Sequence, residues 1–222
     1  MNNRFPDYKK IFSKEFFYNF KPNYILGIVN AIIYIAILYF IGWKDNPIYK
    51  IQLIKYLILS PMIMSAFIID LKLQIIPNRL NLSIFELGLI FTFIESIFSI
   101  DLAINNLLGA LAGAGIFLAI TIIGGLIAGK EAMGFGDVKF MGAIGVYFGW
   151  MNIIVISLIA FLIGAIIGIG LIIKNKIQRK EVNEYIPFGP FIVIAALIVM
   201  IIPFDILLLV LFKVFTLGMY NG

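Results

Sequence analysis

The chain has 222 residues, of which 62% are hydrophobic and 13% are charged. A soluble domain is about 45–50% apolar and about 25% charged, so this composition excludes an ordinary soluble fold and predicts a protein embedded in lipid. The net charge is +5, and the sequence contains neither histidine nor cysteine, which excludes histidine catalysis, thiolate metal sites and disulfides.

Residues 1–22 form a polar and aromatic N-terminal segment that is rich in lysine. The segment has no apolar core and no small-residue cleavage site, so it does not have the pattern of a signal peptide. We predict a cytoplasmic tail or an interfacial helix here, and a single membrane-embedded domain over residues 23–222.

Apolar segments fill the rest of the chain. The first is about 21 residues long and, at about 1.5 Å per residue, matches a hydrocarbon core of about 30 Å. The fifth and the last two are short, and Pro203 marks a turn between the last two. We predict an all-α bundle with seven or eight spanning helices, at about 23–43, 51–69, 81–99, 103–128, 138–150, 152–173, 188–202 and 205–218.

Basic residues set the predicted orientation. With the N-terminal tail inside, the outer loops hold little beyond Lys44 and Lys50, whereas the inner loops are basic. The inner basic residues are Lys72, Arg79, Lys130, Lys174, Lys176, Arg179 and Lys180, with Lys139 just beyond. We assign the basic run at 174–180 to orientation and contact with anionic membrane lipid, and we expect no nucleic-acid binding.

Glycines recur four residues apart within the predicted helices. This spacing lets helix backbones approach closely in lipid, so we predict helix packing at each occurrence. The pairs are Gly109/Gly113, Gly125/Gly129, Gly145/Gly149 and Gly164/Gly168.

Acidic residues within or beside spans are costly, and are therefore functional candidates. Glu86 and Glu95 lie nine residues apart in the third span, on roughly opposite faces of one helix, and the sequence assigns neither a role. Asp70 ends the second span and Asp137 opens the fifth, so both fall at the same inner boundary. Packing of the bundle can bring these two aspartates within reach of one water molecule.

Two adjacent carboxylates can hydrolyse a peptide bond. One ionised carboxylate takes a proton from water while its protonated partner polarises the scissile carbonyl, and repulsion between like charges keeps one proton in the pair. Gly134 and Gly136, just before Asp137, would permit unusual backbone conformations and close approach of a peptide. The alternative is that Asp70 merely ends one helix and Asp137 caps another, and Gly-x-Gly-Asp alone does not decide between the two.

Three segments carry a resemblance to a known family. Residues 130–141, KEAMGFGDVKFM, resemble the signature segment of the type IV prepilin peptidases. Asp70 followed by Ile76-Pro77-Asn78 resembles the other catalytic segment of that family, and residues 185–191, YIPFGPF, are similar to a third motif. The three occur in the family's order and cover the chain from about 60 to 195.

The resemblance implies an aspartic endopeptidase of the Gly-x-Gly-Asp group in the cytoplasmic (inner) membrane. It would cleave basic leader peptides from prepilins and pseudopilins after a glycine at the cytoplasmic face, with Asp70 and Asp137 as the catalytic pair and no metal or organic cofactor. Lys139 would tune the pair or anchor the helix in the inner leaflet, and Glu131 would meet a basic leader or remain solvated. The residues expected to shape the site are Gly134, Gly136, Lys139, Glu131, Pro77, Asn78, Pro187 and Gly189.

One departure from the family and three alternatives remain. Full-length bacterial members carry a zinc-binding domain with two Cys-x-x-Cys pairs, linked to N-methylation of the product; this chain has no cysteine, so we expect a peptidase without methyl transfer. The alternatives are a related enzyme that cuts signal peptides, a transporter with a proton or cation path through Glu86, Glu95 and Asp70, and a non-catalytic assembly factor for pili or secretion. The first lacks support because no Pro-Ala-Leu segment occurs near the C-terminus.

Overall fold

The computed structural model describes residues 24–42, 44–129, 133–177 and 187–216. Within these residues the chain is helical and forms no strand. Residues 1–22 lie outside the described residues, so their predicted role stays a prediction. The helices are α1 (Tyr24–Ile41), α2 (Pro47–Leu73), α3 (Asn78–Ser96), α4 (Ile100–Ala128), α5 (Phe135–Ile177), α6 (Gly189–Ile201) and α7 (Phe204–Phe215).

Local sequence signals explain where these helices begin and end. Asn46 caps α2 by accepting a hydrogen bond from the Ile48 N–H at 2.9 Å, and Pro47 occupies the first helical position. Ser99 caps α4, which ends at Gly129 in the left-handed conformation (φ 65°). Each of the eight apolar segments predicted from sequence is helical, with ends displaced by only a few residues. Pro203 lies between α6 and α7, as predicted.

Helix α5 turns back on itself at Gly149, whose backbone is not helical (φ 76°, ψ 170°). A Cβ atom built on Gly113 of α4 would lie 2.5 Å from the Met141 carbonyl oxygen and 3.1 Å from Ile153 Cγ1. A continuous helix would separate Met141 from Ile153 by about 18 Å. The chain therefore reverses at Gly149, and α5 has a first arm (135–148) and a second arm (150–177), close to the two segments predicted from sequence.

The first arm of α5 forms the centre of the bundle. Every residue from 140 to 149 is buried, which requires neighbours on all sides of the helix. The arm packs against α4 through glycines, and a Cβ on Gly145 would overlap the Gly109 carbonyl oxygen. Helix α5 also contacts α3, α6 and α7.

The predicted glycine packing is confirmed for two of the four pairs. Gly109/Gly113 and Gly145/Gly149 lie at the contact between α4 and α5. Gly164 packs against Phe188 and Phe191, but Gly168 has no atom within 4 Å of its Cβ position. Gly129 ends a helix and has no atom within 4 Å either. Spacing alone does not distinguish a packing glycine from a cap or a lipid-facing position.

The chain is a membrane protein by the length and character of its helices. Four described helices are long and apolar enough to cross a bilayer: Tyr24–Ile41, Pro47–Leu73, Ile100–Ile127 and Phe135–Leu171, the last containing the turn at Gly149. Large apolar side chains cover much of the outer surface, where lipid would solvate them.

A buried ion pair joins α2 to α3 within the bundle. Lys55 Nζ lies 2.7 Å from Glu95 Oε1, and Asn106 Nδ2 donates to Glu95 Oε2 at 2.6 Å. Glu86 is exposed on the same helix, so the prediction that the two glutamates face different sides is confirmed. Lys55 was not singled out in the sequence analysis. Residues 55 and 95 are, however, equally far along the chain from position 75, where the α2–α3 hairpin turns, so the two side chains lie at the same depth.

Candidate active site

Three chain segments meet at one end of the bundle. Asp70 lies in the last turn of α2, and its backbone carbonyl accepts the Gln74 N–H at 2.8 Å. Gln74 adopts the left-handed conformation (φ 54°), which ends the helix. The first turn of α5 lies at the same end, because α3 and α4 carry the chain across the bundle and back. The first turn of α6 lies there as well, because the two arms of α5 again cross the bundle and return.

Asp137 lies in the first turn of α5, where its N–H donates to the Gly134 carbonyl at 3.0 Å. Asp70 and Asp137 are 3% and 5% exposed, and both line one cavity of about 320 Å³. The structure thus brings together two carboxylates that lie far apart in the sequence.

Asp70 is held by the start of α6. The Gly189 N–H donates to Asp70 Oδ2 at 2.9 Å. A Cβ on residue 189 would lie 2.5 Å from the same oxygen and 3.1 Å from Ile76 Cδ1. Glycine is therefore required for α6 to approach the carboxylate, a direct contact that the sequence did not reveal.

Polar side chains of α3 support the segment before Asp137. Asn81 Nδ2 donates to the Gly136 carbonyl at 3.2 Å, and Lys139 Nζ donates to Asn78 Oδ1 at 2.9 Å. Lys139 also lies over the Phe135 ring, at 5.9 Å from the ring centroid. Sequence reasoning singled out Asn78 but missed Asn81, which lies one helical turn further along α3.

The other predicted site residues lie at or near the cavity. Gly134, Gly136, Asn78 and Lys139 line it together with the aspartates. Pro77 precedes α3 and its carbonyl accepts the Asn81 N–H at 3.2 Å, while Pro187 lies two residues before Gly189. Glu131 lies outside the described residues.

Gly136 does not have the unusual backbone conformation expected from the sequence, because its φ is not in the left-handed region. A Cβ there would lie 3.7 Å from Ile76, an ordinary contact. The fold therefore does not require glycine at position 136. The other expectation, that this glycine leaves room for a substrate beside the cavity wall, stays a prediction.

The arrangement suits water activation between two carboxylates. Both side chains are shielded from bulk solvent, and one has a fixed backbone donor. Among the residues that the structure describes, no group of three acidic side chains forms a candidate metal site. A carboxylate pair can hydrolyse a peptide bond by general acid and base catalysis.

Comparison with known proteins agrees with this chemistry. The model of the type IV leader peptidase family matches residues 57–169, which include both aspartates. The prepilin leader peptidase/N-methyltransferase of Aeromonas hydrophila is 34% identical to this chain, and the aligned region covers 65% of this chain and 48% of the relative. The protein of the same name from Legionella pneumophila is 36% identical, and the aligned region covers 68% of this chain and 51% of the relative. The Escherichia coli protein of that name is 29% identical, and the aligned region covers 61% of this chain and 57% of the relative. The chain spans about half the length of the curated relatives it matches, and no solved structure matches it.

Proposed function

The chain belongs to the type IV leader peptidase family, and we propose that it is an aspartic endopeptidase that removes basic leader peptides from prepilins or pseudopilins by cutting after a glycine. The observation that carries the proposal is the pair of buried aspartates on one cavity. The relatives are named for prepilin cleavage, and the family match covers both aspartates.

The two aspartates take different roles in the proposed reaction. The Gly189 N–H donates to Asp70, and such a donor stabilises an ionised carboxylate. Asp70 is accordingly the base that takes a proton from water, while Asp137 is protonated and donates a hydrogen bond to the scissile carbonyl oxygen. The water oxygen bonds to the carbonyl carbon, the carbon–nitrogen bond breaks, and the leaving nitrogen takes a proton from the pair.

The proposed setting is the cytoplasmic membrane, crossed seven or eight times, with the cavity at the cytoplasmic face. The described basic residues near the cavity support this orientation: Lys72, Arg79 and Lys139, against Lys44 and Lys50 at the opposite end. Cytoplasmic loops carry such an excess of Lys and Arg. A basic leader would then remain in the cytosol while the rest of the substrate lies in lipid.

The transporter alternative has less support. A proton or cation path would need acids that are free to bind the ion, but Glu95 is paired with Lys55 at 2.7 Å and Glu86 lies on the exposed surface of α3. The remaining candidate, Asp70, lies at the end of the bundle beside Asp137. A non-catalytic assembly factor keeps the same fold and differs only in having no cleavage activity.

The test is cleavage of a model prepilin by detergent-solubilised protein. Asp70→Asn and Asp137→Asn should each lower the cleavage rate by about 10²–10⁴-fold without changing the folded fraction. Asp45→Asn is the matched control, because Asp45 is a fully exposed acid near the other end of α2. Cleavage at the wild-type rate by either site variant would refute the assignment.

Orientation has its own test, since the natural sequence has no cysteine. Single cysteines at Lys72 and Lys44 should be labelled by an impermeant maleimide from opposite sides of the membrane. Labelling of Lys72→Cys from the outside would show that the cavity faces away from the cytoplasm and would refute the proposed orientation.

A further inference from the structure

We propose that a phospholipid binds at the end of the bundle opposite the aspartates, with its phosphate in a polar cavity and an acyl chain in an adjoining apolar groove. The cavity has a volume of about 260 Å³ and lies where α1 ends and α2 begins, beside the end of α6. Tyr56, the cavity residue of α2 nearest to Asp70 in sequence, lies about 21 Å from it along the helix axis. The inference does not depend on the proposed peptidase function.

The polar side chains of the cavity suit an anionic group. Each of them carries an N–H or O–H donor: Lys44, Tyr49, Gln52, Tyr56 and Asn152. Among the described residues that line the cavity, Lys44 alone is charged. Asp45, the next residue along the chain, is fully exposed and pairs with Lys50 at 3.5 Å. Several donors and a positive charge without an acid favour the oxygens of a phosphate.

Two of these side chains have donors left for a ligand. Lys44 Nζ lies 4.3 Å from the centroid of the Tyr49 ring, and no carboxylate within the described ranges pairs with it. Tyr56 is 5% exposed, and its hydroxyl accepts a hydrogen bond from Gln52 Nε2 at 3.4 Å. No residue in the described part of the chain accepts the hydroxyl hydrogen of Tyr56. Because a buried donor without an acceptor is costly, an oxygen of a bound phosphate would be stabilising.

An apolar groove adjoins the cavity. The groove lies between the second arm of α5 and α7 and has a volume of about 730 Å³. Phe204 lines both spaces, while Met151 lines the groove and its neighbour Asn152 lines the cavity. On α7 the groove continues from Phe204 to Phe212, which is about 12 Å along the helix axis. The groove therefore leads from the polar cavity along the apolar surface of the bundle.

The cavity and the groove together match the two parts of a phospholipid. Free phosphate would satisfy the donors of the cavity but would leave the groove without an occupant, and a hydrocarbon chain alone would leave the donors unpaired. In a bilayer the lipid phosphate lies at the interface and the acyl chains continue inward, in the same order as the cavity and the groove. Tyr49 and Trp150 are exposed at this end, as is typical of residues at a membrane interface.

Lipid titration followed by native mass spectrometry tests the site. The full-length protein in a neutral detergent is titrated with phosphatidylglycerol, with diacylglycerol of the same chains, and with inorganic phosphate. Phosphatidylglycerol should bind at least about fivefold more tightly than diacylglycerol, and inorganic phosphate should not bind at these concentrations. Equal binding of diacylglycerol would refute the role of the cavity, and inorganic phosphate binding as tightly as the lipid would refute the role of the groove. Absence of phosphatidylglycerol binding would refute both.

Variants of the cavity locate the phosphate. Lys44→Gln should weaken phosphatidylglycerol binding by about fivefold, the effect of one lysine near an anionic lipid surface. Tyr56→Phe removes the donor that lacks an acceptor and should weaken binding by about two- to tenfold. Lys50→Gln is the matched control, because it removes a positive charge at the same end from a residue that does not line the cavity. Equal losses in Lys50→Gln and Lys44→Gln would overturn the assignment of the phosphate to the cavity.

A variant of the groove locates the acyl chain. Leu208→Trp places a larger side chain in the groove and should weaken binding by at least about fivefold, because buried contacts with the acyl chain are lost. Leu209→Trp is the matched control, because Leu209 is exposed on the same helix but does not line the groove. Thermal unfolding without lipid shows that both variants are folded. Equal binding by the two variants would overturn the assignment of the acyl chain to this groove.

Discussion

Substitution of Gly189 tests the structure of the site most directly. This residue brings the start of α6 against Asp70, and its N–H donates to Oδ2 at 2.9 Å. In Gly189→Ala the new Cβ would lie 2.5 Å from that oxygen and 3.0 Å from Asp70 Cγ. Contacts this short force α6 and the carboxylate apart, so the hydrogen bond is lost.

The size of the effect follows from the bond that is lost. A hydrogen bond to a charged group contributes about 1.5–3 kcal/mol. Each 1.36 kcal/mol corresponds to about a tenfold change in rate, so kcat/KM should fall by about 10- to 150-fold. The variant still has the Asp70 carboxylate, which is why the loss should be smaller than in Asp70→Asn.

The assay is prepilin cleavage in detergent, together with thermal unfolding of the same samples. Gly168→Ala is the matched control, because no atom lies within 4 Å of its Cβ position, and it should cleave at the wild-type rate. A folded Gly189→Ala variant that retains activity within twofold would refute the reasoning. Equal losses in the two alanine variants would refute it as well.

Three further predictions concern the bundle and the pH dependence. Glu95→Ala leaves Lys55 buried without its partner, so it should destabilise the protein by about 3–5 kcal/mol. The double variant Lys55→Met/Glu95→Leu should recover most of the thermal stability. An unchanged melting temperature in the single variant would contradict the role of the pair. Gly145→Ala should cost about 1–3 kcal/mol through overpacking, whereas Gly115→Ala, which faces open space, should cost nothing measurable in the same melting assay. Cleavage should show a bell-shaped pH profile, because the pair lacks an ionised base at low pH and a protonated acid at high pH; a rate that continues to rise with pH would contradict a shared proton.

Much of the fold could be predicted because helices surrounded by lipid are visible in the sequence as long apolar segments. Apolar runs mark the helices, and Pro203 marks the turn between the last two. All eight predicted segments are helical, but only four described helices are long and apolar enough to cross a bilayer, so the count of seven or eight spans stays a prediction. The position of Asp70 and Asp137 at one boundary followed from alternating the direction of successive helices. Their presence on one cavity agrees with that prediction, while their catalytic role stays a prediction until cleavage is measured.

The remaining features depend on tertiary packing that periodicity does not encode. Gly189 meets Asp70 across 119 positions, and this contact depends on how deeply α6 sits in the bundle. The Gly149 reversal depends on a single positive φ. The Lys55–Glu95 pair could have been predicted from the sequence, because a hairpin of two helices with its turn at residue 75 places residues 55 and 95 at equal depth in the membrane. Without drawing that hairpin, a single lysine in an apolar segment does not indicate a partner.

The contact between Asp70 and Gly189 also bears on the order in which the proposed active site is assembled. Ribosomes synthesise both aspartates well before residue 189, so a nascent chain can hold the complete carboxylate pair while α6 is still unmade. The donor that fixes Asp70 arrives only when α6 inserts beside α2. The proposed peptidase activity should therefore begin only late in biogenesis, once α6 has inserted.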